Sequence, residues 1–452
     1  MWNLSGKRIL VIGAARSGLA AAKYLQQKRA GVTLTDAKPR EKLNREVLNL
    51  ETEGIRLMLG ADPEIMPMSY DYAVISPGVP LSIPLVKKIK EAGIPLLGEL
   101  ELAFRESVAP YIAITGTNGK TTTTALTGQI FLDAGRPVFV GGNIGTPLVT
   151  GMENLTPNHI VVAEVSSFQL ETIDSFRPKV AVLLNITPDH LDRHGDMAGY
   201  TKAKARIFEN QRDSDFAVLN RDDPRIYKLA SQTSGKVIFF STKTVLERGV
   251  CVRQGQVAVN LNGNWINILD PKDIYIKGRH NLENALAATA TACCLGIPPE
   301  SIAQTLKSFP GVAHRLEYVT EIDGVTYIND SKGTNPDSTI KALEAYSRPI
   351  VLIAGGRNKG SDFTQLAKII KNKVRTLILV GEAAPAIRKA VENEGFNSFV
   401  ETTDFAKAVG LAQEKALPGD IVMLSPACAS WDMFNNFEER GDLFKILVTA
   451  MK

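Results

Sequence analysis

Thr115-Gly116-Thr117-Asn118-Gly119-Lys120-Thr121 is the stretch on which the reading of this chain turns. The apolar run before it, Tyr111-Ile112-Ala113-Ile114, reads as a short buried strand, and residues 122–132 read as a helix. Strand, glycine turn, Lys-Thr and helix make the layout of a phosphate-binding loop. Glycines let backbone N–H groups converge on phosphate oxygens, and a helix N-terminus adds positive potential. Lys120 is placed to reach terminal phosphates, and the Thr121 hydroxyl suits Mg²⁺. The spacing is unusual, because two residues rather than four separate Gly116 from Gly119. The competing reading is an ordinary strand-to-helix turn carrying a chance lysine. The expected ligand is ATP, or another nucleoside triphosphate, with Mg²⁺.

Toward the N-terminus, residues 8–14 read as a strand, 17–30 as a helix and 32–36 as a second strand. The turn Gly13-Ala14-Ala15-Arg16-Ser17-Gly18 is a loose dinucleotide fingerprint in which Ala15 replaces the middle glycine. That glycine normally lets backbone approach a pyrophosphate, so its loss argues against a nicotinamide cofactor. The turn can still hold a nucleotide, with Asp36 accepting hydrogen bonds from it; the alternative is a turn without a ligand. A third strand, 71–75, ends in Ser76-Pro77-Gly78-Val79-Pro80, at the strand end where open α/β sheets place ligands. Residues 84–93 read as a helix, 95–97 as a strand and 99–106 as a connecting helix, so a first domain is expected over 1–98.

A central domain over 99–311 then carries the phosphate loop and a second glycine turn, Gly141-Gly142-Asn143-Ile144-Gly145. The strand 161–165 contains one acid, Glu164, which is costly there unless paired or bound to a cation. The strand 180–186 runs into Thr187-Pro188-Asp189-His190. Glu164 reads as a cation ligand or as half of a buried pair with a lysine; His190 reads as a ligand or as a satisfied loop histidine. A helix over 200–210 carries Lys202, Lys204 and Arg206, and 235–268 reads as a small antiparallel insert with Asn-Gly turns. A third parallel α/β domain is expected over 312–452, from strands at 325–328, 350–354, 376–380 and 421–424. Its loops Asn329–Asn335, Gly355–Gly360 and Ser425–Ser430 fall where a site would form.

With 452 residues, 44% hydrophobic and 22% charged, the chain has room for three soluble domains. A net charge of +4 is too mild and too dispersed for nucleic acid, yet compatible with small anionic substrates. The four cysteines have no metal-ligand spacing and read as core residues of a reducing compartment. There is no signal-peptide layout and no bilayer-length apolar run, so a cytoplasmic protein without membrane insertion is expected.

The motifs together resemble the Mur ligases, ATP-dependent amide-forming enzymes of peptidoglycan precursor synthesis. The resemblance runs the full length, through TGTNGKT, GGNIG, EVSSFQLE, TPDHLDRH, KAKARIF, GRHNLENALAA, AHRLE, NDSKGTNPDST and SPACASWDMFNNFEERG. The short first domain with its SPGVP turn, and the last motif, are most similar to the D-glutamate-adding branch. The resemblance implies three α/β domains: a Rossmann-like first, a phosphate-loop ATPase-like second and a Rossmann-like third. It implies that ATP phosphorylates the terminal carboxylate of UDP-N-acetylmuramoyl-L-alanine. The amine of D-glutamate then attacks the acyl phosphate. A monomer is expected, and closure of the last domain onto the central one.

Roles follow from the same resemblance. Gly116, Thr117, Asn118, Gly119, Lys120, Thr121 and Thr122 match the ATP loop, and Asn284, Arg315 and Asp330 match further nucleotide contacts, with His314 beside them. Thr121 and Glu164 match ligands of one Mg²⁺ and His190 of a second. Lys204 matches the family's carbamylated lysine, which joins the metal set; Lys120, His190 and Lys204 are the expected catalytic residues. Arg16, Ser17, Asp36, Ser76, Gly78 and Asn143 match the uridine-diphosphate side. Lys332, Thr334, Lys359, Ser430 and Phe437 match the D-glutamate side. One departure stands out: relatives often carry an acid between the double glycine and the lysine matching Lys359, where this chain has Arg357-Asn358. The competing functions are another Mur ligase, a folate polyglutamate synthase, a nicotinamide oxidoreductase and a non-enzymatic ATP switch.

Overall fold

A computed structural model describes residues 2–66, 68–143 and 145–451. Three α/β domains, each built on a mostly parallel sheet, are strung along the chain. The first sheet contains β1 (Arg8–Ile12), β2 (Gly31–Asp36), β3 (Arg56–Leu59), β4 (Tyr72–Ile75) and β5 (Leu96–Gly98) in the order β3-β2-β1-β4-β5, all parallel. Ile12 aligns with both Thr35 and Ile75. Gly13, Asp36 and Ser76 therefore leave the sheet together at one edge. The close approach of the Arg16–Gln27 helix to β1 requires Gly18, where a Cβ would lie 1.8 Å from the Gly13 carbonyl oxygen.

The second sheet contains β6 (Tyr111–Thr115), β7 (Val138–Gly142), β8 (Ile160–Glu164), β9 (Val180–Leu183), β10 (Phe216–Asn220), β11 (Lys236–Ser241), β12 (Gly249–Arg253), β13 (Gln256–Asn260) and β14 (Ile266–Leu269). Their order is β14-β13-β12-β11-β10-β9-β6-β8-β7. β6 is buried at all five positions, as a central parallel strand covered on both faces must be. Ile114 aligns with Glu164, and Thr115 with Leu183. The acid ending β8 and the chain leaving β9 thus flank the phosphate loop. The stretch expected as a small antiparallel insert, 235–268, continues this sheet and is antiparallel only in part: β11 and β12 run parallel with β10, and β12, β13 and β14 form an antiparallel meander.

The third sheet contains β15 (Glu317–Ile322), β16 (Val325–Asn329), β17 (Ile350–Gly355), β18 (Val374–Val380), β19 (Phe399–Thr402) and β20 (Ile421–Ala427), ordered β15-β16-β20-β17-β18-β19. Only β15 is antiparallel to its neighbour. Apolar clusters cover both faces, one around Leu352, Leu377 and Met423, the other around Ile353, Ile378 and Phe444. Leu424 aligns with Asn329 and Ile353, so the loops after β16, β17 and β20 open at one edge.

The chain divides into two compact units. One runs to Ile186 and adds Arg193–Asp270 and Leu286–Thr305; the other comprises Thr187–Asp192, Pro271–Ala285 and the chain from Leu306 on. Among the described residues no helix is long and apolar enough to cross a membrane. Burial pushes the cysteine thiols up, Cys293 and Cys428 to about 12; Cys251 and Cys428 are core residues as expected, whereas Cys293 and Cys294 are half-buried.

Candidate active site

In the first unit the loop after β6 is tied down at every turn. Gly119, at φ +84°, precedes the Lys120–Asp133 helix in a left-handed conformation that glycine adopts without strain. Lys120 Nζ donates to the carbonyl oxygens of Gly116 and Thr117, each at 2.9 Å. Lys204, in the Met197–Ala205 helix capped by Asp196, is 1% exposed, and its Nζ donates to the same Gly116 oxygen at 2.8 Å. Its ammonium also lies 4.7 Å from the Tyr200 ring centroid. Burying an ammonium demands such polar and ring contacts. The two lysines singled out from sequence therefore converge on one carbonyl.

Glu164 is 2% exposed and ends β8 beside this loop. The Thr121 hydroxyl donates to Glu164 Oε2 at 2.7 Å, and Asn143 Nδ2 donates to Oε1 at 3.1 Å. Thr122 Oγ1 is buried without a partner among the described residues. Sequence reading missed Asn185. Its side chain accepts from Asn118 N at 2.8 Å and donates to Asn118 O at 3.0 Å, and its carbonyl accepts from Thr117 N at 2.9 Å. The signal was a polar residue closing the apolar run from Val180 to Leu184.

The first-sheet residues also meet. Ala14 N and Lys38 N donate to the two oxygens of Asp36, at 2.7 and 2.9 Å, so this acid shapes its own turn. The Ser76 hydroxyl donates to Gly13 O at 3.0 Å, and Arg16 reaches Asn143 O at 3.1 Å. Ser17 lies in the first turn of the Arg16–Gln27 helix, and Gly78 has open space where a Cβ would project. Arg193, from the TPDHLDRH motif, donates to Pro77 O at 3.0 Å and pairs with Glu171. His194, from the same motif, contacts Ser167 Oγ at 2.9 Å and stacks on Phe168.

The remaining residues belong to the second unit. His190 adopts φ +52°, with its N–H on Asp189 Oδ1. The expected metal ligands are thus divided, with Thr121, Glu164 and Lys204 in one unit and His190 in the other. Among the described residues no three His, Cys, Asp or Glu side chains cluster as a metal site. Asn284 donates to Asn281 Oδ1 at 3.1 Å. Asp330 is 1% exposed, and burial pushes its carboxyl up to about 6, against the pull of Arg315 and the Ser425 hydroxyl, which donates at 2.7 Å. Arg315 Nε is buried without a partner among the described residues. Burial, reinforced by Arg315 and Lys341, pushes His280 down to about 3, so its imidazole is neutral. Burial likewise lowers His314, whose Nδ1 faces Asn329 Nδ2 at 3.1 Å.

Lys332 Nζ lies 5.3 Å from the Phe437 ring centroid, and Thr334 N donates to Lys332 O. Ser430 is 2% exposed, and its carbonyl accepts from Met433 N and Phe434 N. Lys359 is exposed, with Nζ 5.8 Å from the Trp431 centroid. In the departing pair, Arg357 bridges Ala429 through backbone and Asn358 closes the loop onto Ser361. Sequence reading also missed Arg440. This side chain is 1% exposed and donates to Ser331 Oγ, Ser331 O and Cys428 O, at 3.1, 2.9 and 3.3 Å. It ties the loops after β16 and β20, which carry Lys332, Thr334 and Ser430.

Comparisons with known proteins agree along the chain. The family models described as Mur ligase MurD-like N-terminal domain, Mur ligase middle domain and Mur ligase glutamate ligase domain match residues 7–98, 114–292 and 314–428. The chain is 54% identical over 450 residues to the UDP-N-acetylmuramoylalanine–D-glutamate ligase of Pelotomaculum thermopropionicum, covering 100% of this chain and 99% of that one. It is 46% identical over 452 residues to the ligase of the same name from Clostridioides difficile, covering 100% of each. Among solved structures it is similar to UDP-N-acetylmuramate-alanine ligase MurC of Thermotoga maritima, with a TM-score of 0.62, 17% identity and 99% and 100% coverage. MurF ligase from Thermotoga maritima in complex with ADP gives a TM-score of 0.62 at 16% identity, covering 99% and 96%. At these identities the structures establish the shared fold.

Proposed function

The chain belongs to the Mur ligase family, and from that premise we propose that it joins D-glutamate to UDP-N-acetylmuramoyl-L-alanine, with cleavage of ATP to ADP and phosphate. One observation carries the reading: 46–54% identity to ligases of that name over essentially the whole length of both chains. The reading places a monomeric enzyme in the cytoplasm, in peptidoglycan precursor synthesis, with domains meeting near Gly98 and Gly311.

The geometry suits the chemistry. Lys120 and the amides at the start of its helix hold the terminal phosphates of ATP, with Asn284, Arg315 and Asp330 on the rest of the nucleotide. The Thr121 hydroxyl and Glu164 carboxylate, 2.7 Å apart, are an oxygen pair of the kind Mg²⁺ takes, so the residues fit that ion. His190 serves a second ion, together with Lys204 once a carbamate turns its ammonium into an oxygen ligand. Bound Mg²⁺ neutralises phosphate charge so that a carboxylate can approach the triphosphate. Arg16, Ser17, Asp36, Ser76, Gly78 and Asn143 hold the uridine-diphosphate sugar. Lys332, Thr334, Lys359, Ser430 and Phe437 hold D-glutamate, with Lys359 supplying charge for a carboxylate and Ser430 a hydroxyl donor.

The test is phosphate release from ATP with UDP-N-acetylmuramoyl-L-alanine present, comparing D-glutamate with L-glutamate, L-lysine and meso-diaminopimelate. Release with D-glutamate alone, with the amide product's mass, is the expected result. Release with another amine moves the chain to another branch of the family, and no amine-dependent release removes the ligase reading.

A further inference from the structure

We propose that Asn185 is a positioning residue of the phosphate loop, fixing the loop's tip in the shape that receives the nucleotide; the proposal rests on the reading that this loop binds ATP. Its carboxamide satisfies both backbone groups of Asn118, accepting from N–H at 2.8 Å and donating to C=O at 3.0 Å. Its own carbonyl takes the Thr117 N–H at 2.9 Å. Two successive loop residues are thereby fixed by one neighbour, immediately before Gly119 turns left-handed and the helix begins. With the Thr117 and Asn118 amides committed, the amides that meet phosphate start at Gly119 and continue into the first helical turn.

Asn185 is itself held from both sides. Asn220 Nδ2 donates to Leu184 O at 2.8 Å, and Ile186 N donates to Asp223 Oδ2 at 2.9 Å. Asp223 also caps the Pro224–Leu229 helix, so the support is anchored in regular structure. A loop shaped before its ligand arrives loses less freedom on binding. Asparagine suits the task because its short side chain presents a donor and an acceptor in one plane. Aspartate keeps the acceptor and loses the donor; leucine keeps the size and loses both.

The experiment titrates MgATP and, separately, the uridine-diphosphate substrate into wild type, Asn185→Asp and Asn185→Leu by calorimetry, with circular dichroism as a check on folding. The expected result is a ~10–100-fold weaker MgATP affinity in both variants, about 1.4–2.8 kcal/mol at 1.4 kcal/mol per tenfold, with uridine-diphosphate substrate affinity within about threefold. Asn185→Asp decides if Asn185→Leu fails to fold. Unchanged MgATP affinity in a folded variant overturns the proposal, and so does equal weakening of both ligands, which marks a general loss of structure. A wild-type protein that binds no MgATP overturns the ATP reading, and this proposal with it.

Discussion

Replacing Asp330 with asparagine is expected to make the protein more stable at neutral pH and far less active. Burial raises this carboxyl from an ordinary 3.8 to about 6, outweighing Arg315, Ser425, Leu316 and Arg440, which pull it down. A shift of about two units at ~1.36 kcal/mol each is about 3 kcal/mol. The sign follows from linkage. The folded pKa lies above the unfolded one, so the folded state binds the proton more tightly. Its advantage is complete below the unfolded value and is lost as pH rises from about 4 through about 6. Above that range the buried carboxylate is a fixed penalty, which asparagine does not carry. The contacts survive the change: the amide oxygen accepts from Leu316 N, now at 3.3 Å, and the amide nitrogen donates to Ser425 Oγ, whose hydrogen turns to Thr339 Oγ1 at 3.0 Å. Urea unfolding of wild type and Asp330→Asn between pH 4.5 and 8 measures the difference. The variant should gain steadily up to about pH 7 and level off ~3 kcal/mol ahead. Its ATP-dependent ligation should fall at least ~100-fold, in keeping with loss of a charged contact worth about 3 kcal/mol. Equal stability at pH 7.5, or a gap that does not grow between pH 4.5 and 6.5, would refute the claim that burial dominates at this carboxylate.

Glu101→Gln should act in the opposite sense. Ser175 N, the Ser175 hydroxyl and Arg105 donate to one oxygen of this fully buried carboxylate, and Asp174 N and Phe176 N to the other. A glutamine keeps one acceptor and strands at least two donors, a loss of about 2–6 kcal/mol at ~1–3 each, measurable by urea unfolding at pH 7. Burial would raise Glu101, but these donors hold it below the usual range. Its stabilisation is therefore present above the unfolded pKa and lost as pH falls through the folded one, so the gap to Glu101→Gln should close in acid. Lys204→Ala should abolish turnover in the phosphate-release assay, and a fully active variant would remove Lys204 from the proposed metal set.

The strands most legible in the sequence are the covered ones. β6, β9, β17 and β20 are continuous apolar runs because both faces are buried. The edge strands β3, β7 and β19 were not legible: each is partly exposed, and β7 ends in two glycines. β10 is an interior strand with an equally clear run, Phe216-Ala217-Val218-Leu219, which the sequence reading passed over. The meander was legible as antiparallel, but β11 lies in the same stretch and pairs parallel with β10 and β12, since its apolar run, Val237-Ile238-Phe239-Phe240, carries no signal of strand direction.

At the candidate site the legible residues are those whose chemistry is unusual for their place: a lysine at a helix start, an acid inside an apolar strand. Asn185 and Arg440 obey the same rule, in weaker form. Arg440 shares a helix face with Phe444 and Val448, both fully buried, so the sequence places a guanidinium at a core position. Such a group persists only where backbone oxygens meet it, and the loops after β16 and β20 supply them. Its Nη1 has no partner among the described residues, and burial lowers its pKa to about 10. Methionine would pack in its place, yet Ser331 O and Cys428 O would lose their donor, so the charge is kept for the loops it joins and not for the core it occupies. A polar residue in an apolar register therefore points to the backbone it must hold. What the sequence withholds is which loop that is, because the partners lie 12 and 109 residues away.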